Sequence, residues 1–394
     1  MSDSTMPGPR RGAGWITRIA IMAGLGVAVI YIPQPIQPLV ADEFDLPLEA
    51  SAGGVIAAQF GYAAGVFLLV ALGDRVRARR QVATHLVGTA LAIAVAAIAP
   101  WNELFVVACF VAGMGATYGQ LLVPVALRAV PASARAVTTG VLVGSFLVGL
   151  FLVRTGLGAL ADLLGWRPTL LVCAAVILAC TALLSAVPSV PVTDPPSYLR
   201  LLASLPGIMR RSPALVLMTV AHACVFAAFA TLWATSIVFA VAELDFDVAR
   251  AALLGLAGLA GGATTVLLAR VYARLSRRTG LMITIGAALA GGIALAVGSS
   301  VTPIVVIALY LVSAGMVGSQ VFTQARALQA VDPAESGRAN TVYVTGTFVL
   351  SSIAIAVGSA VQRGFGFEAV ALMCLALLLA SATTLTVAWR RQLL

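Results

Sequence analysis

The sequence is poor in charge and contains no lysine at all. Only 10% of its 394 residues are charged, against about 25% in soluble globular proteins. Hydrophobic residues make up 61%, and the mean hydropathy is +1.04. All 24 basic residues are arginine, and the net charge is +9. This composition excludes a soluble enzyme and a disordered chain, and it indicates a membrane protein with several spans.

Other absences limit the chemistry. The two histidines and five cysteines show no metal-ligand spacing or disulfide framework, and a Gly-x4-Gly-Lys nucleotide motif is missing. The middle of each predicted span lacks Asp and Glu, so an intramembrane enzyme is disfavoured and we expect no cofactor. Proton coupling is possible, but it would have to use His222 or carboxylates at helix ends, such as Asp74 and Asp162.

Long apolar stretches follow one another with short breaks. Each is long enough to cross about 30 Å of hydrocarbon as a helix. The twelve predicted spans are Ile16–Val40, Ala52–Leu72, Val82–Pro100, Leu104–Val125, Val137–Leu160, Thr169–Val187, Ala214–Val241, Ala251–Val271, Leu281–Ser300, Ile304–Thr323, Thr341–Val361 and Ala369–Ala388.

The arginines lie on one side of this map. Only Arg167, Arg250 and Arg363 fall on the side opposite the N-terminus, and Arg154 falls inside a span. By the positive-inside rule, both termini are cytoplasmic and the chain lies in the cell membrane. The basic charge therefore marks a membrane face, and we expect no nucleic-acid partner because no basic soluble module exists.

The predicted spans divide into two sets of six. The interval 188–213 begins with four prolines and continues with Tyr198–Arg211, which could lie on the membrane as an amphipathic helix. Ala112-Gly113-Met114 recurs as Ala314-Gly315-Met316, and Arg79-Arg80 recurs as Arg277-Arg278, at corresponding places. The predicted division is a tail (1–15), a six-helix bundle (16–187), a linker (188–213), a second bundle (214–388) and a tail (389–394).

Three local motifs carry a resemblance to a known family. They are Leu72-Gly73-Asp74-Arg75 with the basic cluster through Arg80, Gln59-Phe60-Gly61-Tyr62, and Gly165-Trp166-Arg167. With the 6+6 arrangement, the chain resembles the major facilitator superfamily, and it is similar to its bacterial efflux-permease branch. The resemblance implies an all-α fold of twelve helices in two pseudo-symmetric bundles. It also implies a conformational switch on the inner face, for which the candidates are Gly73, Asp74, Arg75, Arg79, Arg80 and Arg135.

Arg154 is the sharpest candidate for a binding residue. It lies in the fifth span, where the family's antiporters carry a Gly-Pro pair. A charge there is costly, on the order of 3 kcal/mol on insertion scales, and usually faces a cavity. It could clamp a carboxylate or phosphate, or it could be structural, bonded to helix-end carbonyls or to Asp162.

Further candidates lie on the spans expected to line a cavity. In the first span, the prolines around Tyr31, Gln34 and Gln37 predict a broken helix with a polar stripe. In the seventh span, helical spacing puts four rings on one face, as a substrate wall or as packing. The candidates are Tyr31, Gln34, Gln37, Gln59, Tyr118, Gln120, His222, Phe226, Phe229, Trp233, Gln320, Gln324, Tyr343 and Thr347.

These observations predict a secondary transporter working by alternating access, without enzymatic activity. We expect an exporter of amphipathic, drug-like compounds. The alternative is uptake or exchange of an organic anion clamped by Arg154, and a third possibility is a sensor that has lost transport. The expected partners are a small-molecule substrate and the lipid bilayer, and we expect a monomer.

Overall fold

The computed structural model describes residues 13–48, 51–70, 76–131, 134–188, 197–272, 274–332 and 335–394. Within these ranges the regular secondary structure is helical, and no strand occurs. A helix satisfies its backbone hydrogen bonds within the segment, as a hydrocarbon environment requires. The expected all-α membrane fold is confirmed.

Residues 13–188, here called the N-half, hold the first nine α-helices. A π-helical turn, Val153–Leu157, interrupts the fifth predicted span, and a 3₁₀ turn, Cys180–Ala186, ends the sixth. The helices are α1 Ala13–Val29, α2 Gln37–Glu43, α3 Gly53–Leu68, α4 Ala78–Ala97, α5 Asn102–Gly115, α6 Tyr118–Arg128, α7 Arg135–Leu152, α8 Gly158–Leu164 and α9 Trp166–Ala179.

Residues 213–394, here called the C-half, follow the predicted linker. The linker contains a helix at the predicted position, α10 Tyr198–Arg211. The C-half helices are α11 Pro213–Glu243, α12 Val248–Ala252, α13 Gly255–Leu267, α14 Ala269–Tyr272, α15 Arg277–Gly298, α16 Thr302–Gln329 and α17 Ser336–Arg390.

The helices are long and apolar enough for a bilayer. Within the described ranges, nine helical stretches could span a membrane, and two shorter apolar helices, Gly14–Val29 and Gly53–Leu68, accompany them. One of the nine, α17, has 55 residues and contains a non-helical residue, Gly366, at φ 78°. At 1.5 Å per residue a straight helix of that length would be more than twice the hydrocarbon thickness. The break at Gly366 separates the last two predicted spans, and the number of crossings stays a prediction.

The first predicted span is not one continuous helix. The helix stops at Val29, residues 30–36 form turns, and α2 begins at Gln37. Pro33 and Pro35 explain the interruption, because each lacks a backbone donor and its ring clashes with the preceding turn. The predicted break is present. The first two members of the polar stripe, Tyr31 and Gln34, lie in turns, and Gln37 begins α2.

Side-chain hydrogen bonds identify the two ends of the bundle. The end that carries both described termini is here called the terminal face, and the other end is called the opposite face. At the terminal face the bonds are Trp15 Nε1 to Ala186 O (2.7 Å), Tyr198 OH to Leu68 O (2.9 Å) and Arg326 Nε to Leu393 O (2.8 Å). At the opposite face they are Trp166 Nε1 to Glu43 Oε2 (2.6 Å) and Arg167 Nε to Glu43 Oε1 (2.7 Å).

Large apolar side chains point outward around the bundle. Val297 is 83% exposed, Leu267 is 81% exposed, and Leu91, Leu163 and Leu372 are also exposed. A soluble protein rarely leaves large contiguous apolar patches in water. The outward surface therefore suits lipid, in agreement with a chain that crosses the membrane several times.

Candidate functional site

A cavity of about 90 Å³ lies between the two halves. It extends toward the terminal face as far as Gln324, near the end of α16. Its lining combines rings, aliphatic groups and neutral polar groups. The lining residues are Val27, Tyr31, Tyr62, Gln120, Phe146, Leu147, Leu150, His222, Phe226, Met316, Gln320, Gln324, Tyr343, Val344, Thr347 and Phe348. Ligand pockets commonly measure roughly 300–1,000 Å³, so this cavity is smaller than a typical ligand pocket.

The structure brings many of the predicted site residues together here. Those in the lining are Tyr31, Gln120, His222, Phe226, Gln320, Gln324, Tyr343 and Thr347. Sequence reasoning missed Tyr62, Phe146 and Phe348. Tyr62 stood inside a quoted motif and follows Gln59 by one helical turn, so it could have been found. Nothing in the sequence distinguishes Phe146 and Phe348 from ordinary packing residues.

Two members of the ring row on α11, His222 and Phe226, form one wall of the cavity, whereas Phe229 and Trp233 are not in its lining. His222 contacts Phe226 at 6.0 Å between ring centroids, and Phe226 contacts Phe229 at 5.8 Å. His222 also stacks on Tyr343 at 5.4 Å, with only 8° between the ring planes. Phe348 then links this wall to the N-half, since it lies 4.9 Å from Phe226 and 4.5 Å from Tyr62.

Arg154 lies beyond the cavity, toward the opposite face. It occupies the π-helical turn, a type of local distortion that often marks functional sites. Its side chain is only 1% exposed, and its Nε donates to Gln34 Oε1 at 2.8 Å. Within the described ranges, no salt bridge joins Arg154 to Asp162 or to another carboxylate, and neither terminal amino group of Arg154 has an acceptor.

Four aromatic rings surround the Arg154 guanidinium. Together with Arg154 and Gln34 they are here called the Arg154 layer. The ring centroids lie at 4.6 Å (Tyr31), 4.6 Å (Trp233), 5.1 Å (Phe229) and 5.5 Å (Phe151) from the guanidinium carbon. Such contacts reach about 2 kcal/mol each when desolvated, so they offset part of the cost of burying the charge. A ring face is not a hydrogen-bond acceptor of the oxygen type, and the two terminal amino groups of Arg154 stay unsatisfied.

The Arg154 layer joins the two halves. Tyr31 and Phe151 come from the N-half, whereas Phe229 and Trp233 come from the C-half. Gln37 adds a hydrogen bond between the halves, from its Nε2 to Ala234 O at 3.0 Å. Trp233 is also held within the C-half, because its Nε1 donates to Ser313 Oγ at 3.3 Å.

Two glycines on α13 allow close packing beside this layer. A Cβ on Gly258 would lie 2.6 Å from Trp233 Cζ2 and would also meet the Phe151 ring. A Cβ on Gly255 would lie 3.3 Å from Arg154 Cβ. These distances are shorter than ordinary van der Waals contacts, so side chains at these positions would oppose the close approach of the halves.

Several predicted site residues lie outside the cavity lining. Gln59 is buried and accepts a hydrogen bond from Ser351 Oγ of the C-half at 2.8 Å. Tyr118 is buried against α1 near Gly26. Gln34 and Trp233 belong to the Arg154 layer, and Gln37 lies between that layer and the opposite face.

The predicted conformational switch is only partly within the described residues. Gly73, Asp74 and Arg75 lie outside them, and Arg135 begins α7 with a side chain that also lies outside them. Arg79 donates to the carbonyls of Ser185 and Val187, and Arg80 is exposed. Their switching role stays a prediction.

The described residues do not include a group of three or more His, Cys, Asp or Glu side chains that could hold a metal ion. The free cysteines are Cys109, Cys173, Cys180, Cys224 and Cys374, each buried or partly buried. The site is therefore one of rings, amides and a single guanidinium, which suits binding of an organic molecule by packing and hydrogen bonding.

The sequence profile of the Major Facilitator Superfamily matches residues 19–356. The match covers most of the chain and reaches into both halves. The chain belongs to the major facilitator superfamily.

Curated relatives are transporters by name. "Uncharacterized transporter YgaY" of Escherichia coli O157:H7 is 30% identical over 244 residues, which are 62% of each chain. The chain thus spans less than two thirds of that relative's length. "Probable transporter SCO4007" of Streptomyces coelicolor is 30% identical over 359 residues, which cover 89% of this chain and 82% of the relative.

Solved structures share the fold. A point mutant of the nucleoside transporter NupG aligns with a TM-score of 0.73 at 14% identity, covering 94% of this chain and 99% of that one. The POT family transporter PepTSo gives 0.73 at 13%, covering 97% and 99%. The human organic anion transporter MFSD10 gives 0.69 at 16%, covering 94% and 98%. At these identities the likeness establishes the fold alone.

Proposed function

We propose that the chain is a secondary transporter that moves a small amphipathic molecule by alternating access, in the direction of export from the cell. In this proposal the terminal face is cytoplasmic, as the arginine distribution favours. The central cavity holds the cargo, and no catalytic step and no cofactor take part. The cargo contacts the rings through apolar packing and the amides through hydrogen bonds.

The observation that carries this proposal is the composition of the cavity wall. Its rings and aliphatic groups come from both halves. Its polar groups are amides, hydroxyls and the imidazole of His222, and Asp, Glu and Arg are absent from the described lining. Such a wall binds apolar and aromatic bodies with a few hydrogen-bonding groups. The export direction is supported by the resemblance of Gln59–Tyr62 to the efflux-permease branch.

The transport cycle follows from the position of the Arg154 layer. In the conformation described here, the layer closes the cavity on the side of the opposite face. To release cargo there, Phe229 and Trp233 must move away from Arg154, and the bond from Gln37 to Ala234 must break. Closure at the terminal face would accompany this movement, as alternating access requires.

If transport is coupled to protons, His222 is the proton-carrying group in this proposal. His222 lines the cavity and stacks on Tyr343, and Ser319 Oγ lies 3.4 Å from its Nδ1. Asp and Glu are absent from the buried polar side chains of the described residues. A histidine side chain can accept and release a proton, which is what such coupling requires.

A second candidate function is transport of an organic anion. It is favoured by one observation: both terminal amino groups of Arg154 and Nε2 of Gln34 are buried donors without an acceptor among the described residues. A carboxylate or phosphate could satisfy such donors in a bidentate arrangement. In this alternative the anion enters the Arg154 layer when the rings of the C-half withdraw.

A ligand panel on purified protein in detergent separates the two candidates. Thermal unfolding is measured for wild type, Arg154→Gln and a matched control, Arg250→Gln, which removes an exposed arginine at the opposite face. A ligand that binds the folded state raises the unfolding midpoint by mass action. The proposal expects neutral or cationic amphipaths to stabilise all three proteins. Stabilisation by organic anions only, lost in Arg154→Gln alone, would replace it with the anion function.

Flux into proteoliposomes is the second arm of that experiment. The stabilising ligand should cross the membrane in wild type, and an imposed pH gradient should change the rate when His222 takes part in coupling. A ligand that binds without measurable flux would contradict transport and would favour a sensor.

A further inference from the structure

A second cavity lies between α10 and the terminal-face ends of three spanning helices. Its volume is about 450 Å³, and its wall is almost wholly apolar. Leu205 and Met209 of α10 form one side, Val220 of α11 and Val342 of α17 form another, and Phe67 of α3 closes it from the N-half. The two cavities share no lining residue. We call the second one the α10 groove.

The rim of the α10 groove carries both apolar and basic side chains. Leu199 lies one turn before the groove-lining Leu202, and it is 73% exposed. Arg210 lies one turn after the groove-lining Pro206, so it sits at the edge of the same face. Arg210 is exposed and has no acceptor within the described ranges. The rim therefore offers a cation beside exposed hydrocarbon.

Arg211, on the other side of α10, forms an ion pair, unlike Arg210. Its NH2 donates to Glu335 Oε1 at 2.9 Å, a residue that Arg338 also contacts. This ion pair ties α10 to the start of α17 and holds the groove in place. Among the described residues, the arginine that faces away from the groove is therefore paired, and the one at the groove rim is not.

We propose that the α10 groove seats one acyl chain of an anionic phospholipid from the leaflet at the terminal face, with Arg210 at the lipid phosphate. The occupant must be apolar inside the groove and negative at the rim, and an anionic phospholipid has this arrangement. Covering such an apolar wall with a hydrocarbon chain is more favourable than leaving it in water. The groove touches α3 of the N-half and α11 and α17 of the C-half, so the bound chain bridges both halves.

The test uses full-length protein, delipidated in detergent and titrated with phosphatidylglycerol or phosphatidylcholine of identical acyl chains. Retained lipid is counted by native mass spectrometry. Phosphatidylglycerol should bind about tenfold tighter than phosphatidylcholine. Arg210→Gln should remove that preference, whereas its matched control, Arg391→Gln at the same face, should keep it.

A second pair of variants tests the groove itself. Val220→Trp fills the groove from a partly exposed position and should weaken both lipids, while Val297→Trp, on the outer surface of α15, should not. Met209→Gln, which makes the wall polar, serves as an independent groove variant. Equal affinity for the two phospholipids in wild type, or equal effects of Arg210→Gln and Arg391→Gln, would overturn the proposal. Palmitate binding as tightly as phosphatidylglycerol would also overturn it, in favour of a free fatty acid.

Discussion

The two ends of the central cavity are built in opposite ways. Toward the opposite face, the halves meet through a buried guanidinium, four rings and two glycines that permit close contact. Toward the terminal face, the cavity continues between neutral amides as far as Gln324, and a separate apolar groove lies under α10. The comparison teaches that a cation–π layer closes the cavity toward the opposite face, whereas the open volume of the cavity lies toward the terminal face.

The largest expected effect comes from Gly258→Trp. The new ring would occupy the place of Phe151 and Trp233, so the halves could not close at the Arg154 layer. Transport should fall at least tenfold, and the variant should stay open at the opposite face. Flux into proteoliposomes measures the loss. Gly286→Trp on α15 is the matched control, because a Cβ at that position meets nothing within 4 Å. Normal flux in Gly258→Trp would contradict the proposed closure.

A smaller effect is expected for Gln37→Leu. The change removes the hydrogen bond to Ala234 O between the halves, together with longer contacts to Gln34 O and Ser51 Oγ, and puts an apolar side chain of similar size in its place. A hydrogen bond of this kind contributes roughly 1 kcal/mol, so the closed state should lose population by about fivefold. Thiol labelling of a cysteine introduced at Tyr31 should become faster from the opposite face. Unchanged labelling, with correct folding, would show that Gln37 does not hold the closed end.

The smallest effect is expected for Tyr343→Phe in the wall of the central cavity. The change removes the hydroxyl contact with Thr323 at 2.8 Å and leaves the ring that stacks on His222. Affinity for an amphipathic ligand should fall by less than tenfold, measured by the concentration dependence of thermal stabilisation. Tyr343→Ala is the comparison variant and should lose more, since it removes the ring. Equal losses in both would contradict a ring-based wall.

Much of the fold follows from the sequence because hydrocarbon imposes simple rules. Apolar length marks each span, and the ring row on α11 follows from helical spacing. The proline-rich segment predicted the break after Val29 but not its form. The turns over residues 30–36 bring Tyr31 and Gln34 to Arg154, whereas Gln37, at the start of α2, bonds to Ala234 O. Periodicity describes helices and says nothing of side chains in turns.

The Arg154 layer shows what sequence reasoning could not reach. The cost of a buried charge identified Arg154 as a candidate. The layer itself depends on how the halves pack. Phe151 looks like an ordinary packing residue in the sequence, and the spacing of Phe229 predicted a ring row but not a contact with Arg154. The residue types at Val153–Leu157 also do not predict the π-helical turn. Contacts between distant spans are set by tertiary packing, which local patterns do not encode.

The most direct measurement is the distance between the halves at each face, by double electron–electron resonance on spin-labelled protein with its native cysteines replaced. Asp45 and Asp245 are exposed at the opposite face, and Arg80 and Arg274 are exposed at the terminal face. Alternating closure predicts that Gly258→Trp lengthens the distance between the labels at the opposite face and shortens the distance between the labels at the terminal face. A change at one face without the converse change at the other, or no change at either, would contradict it.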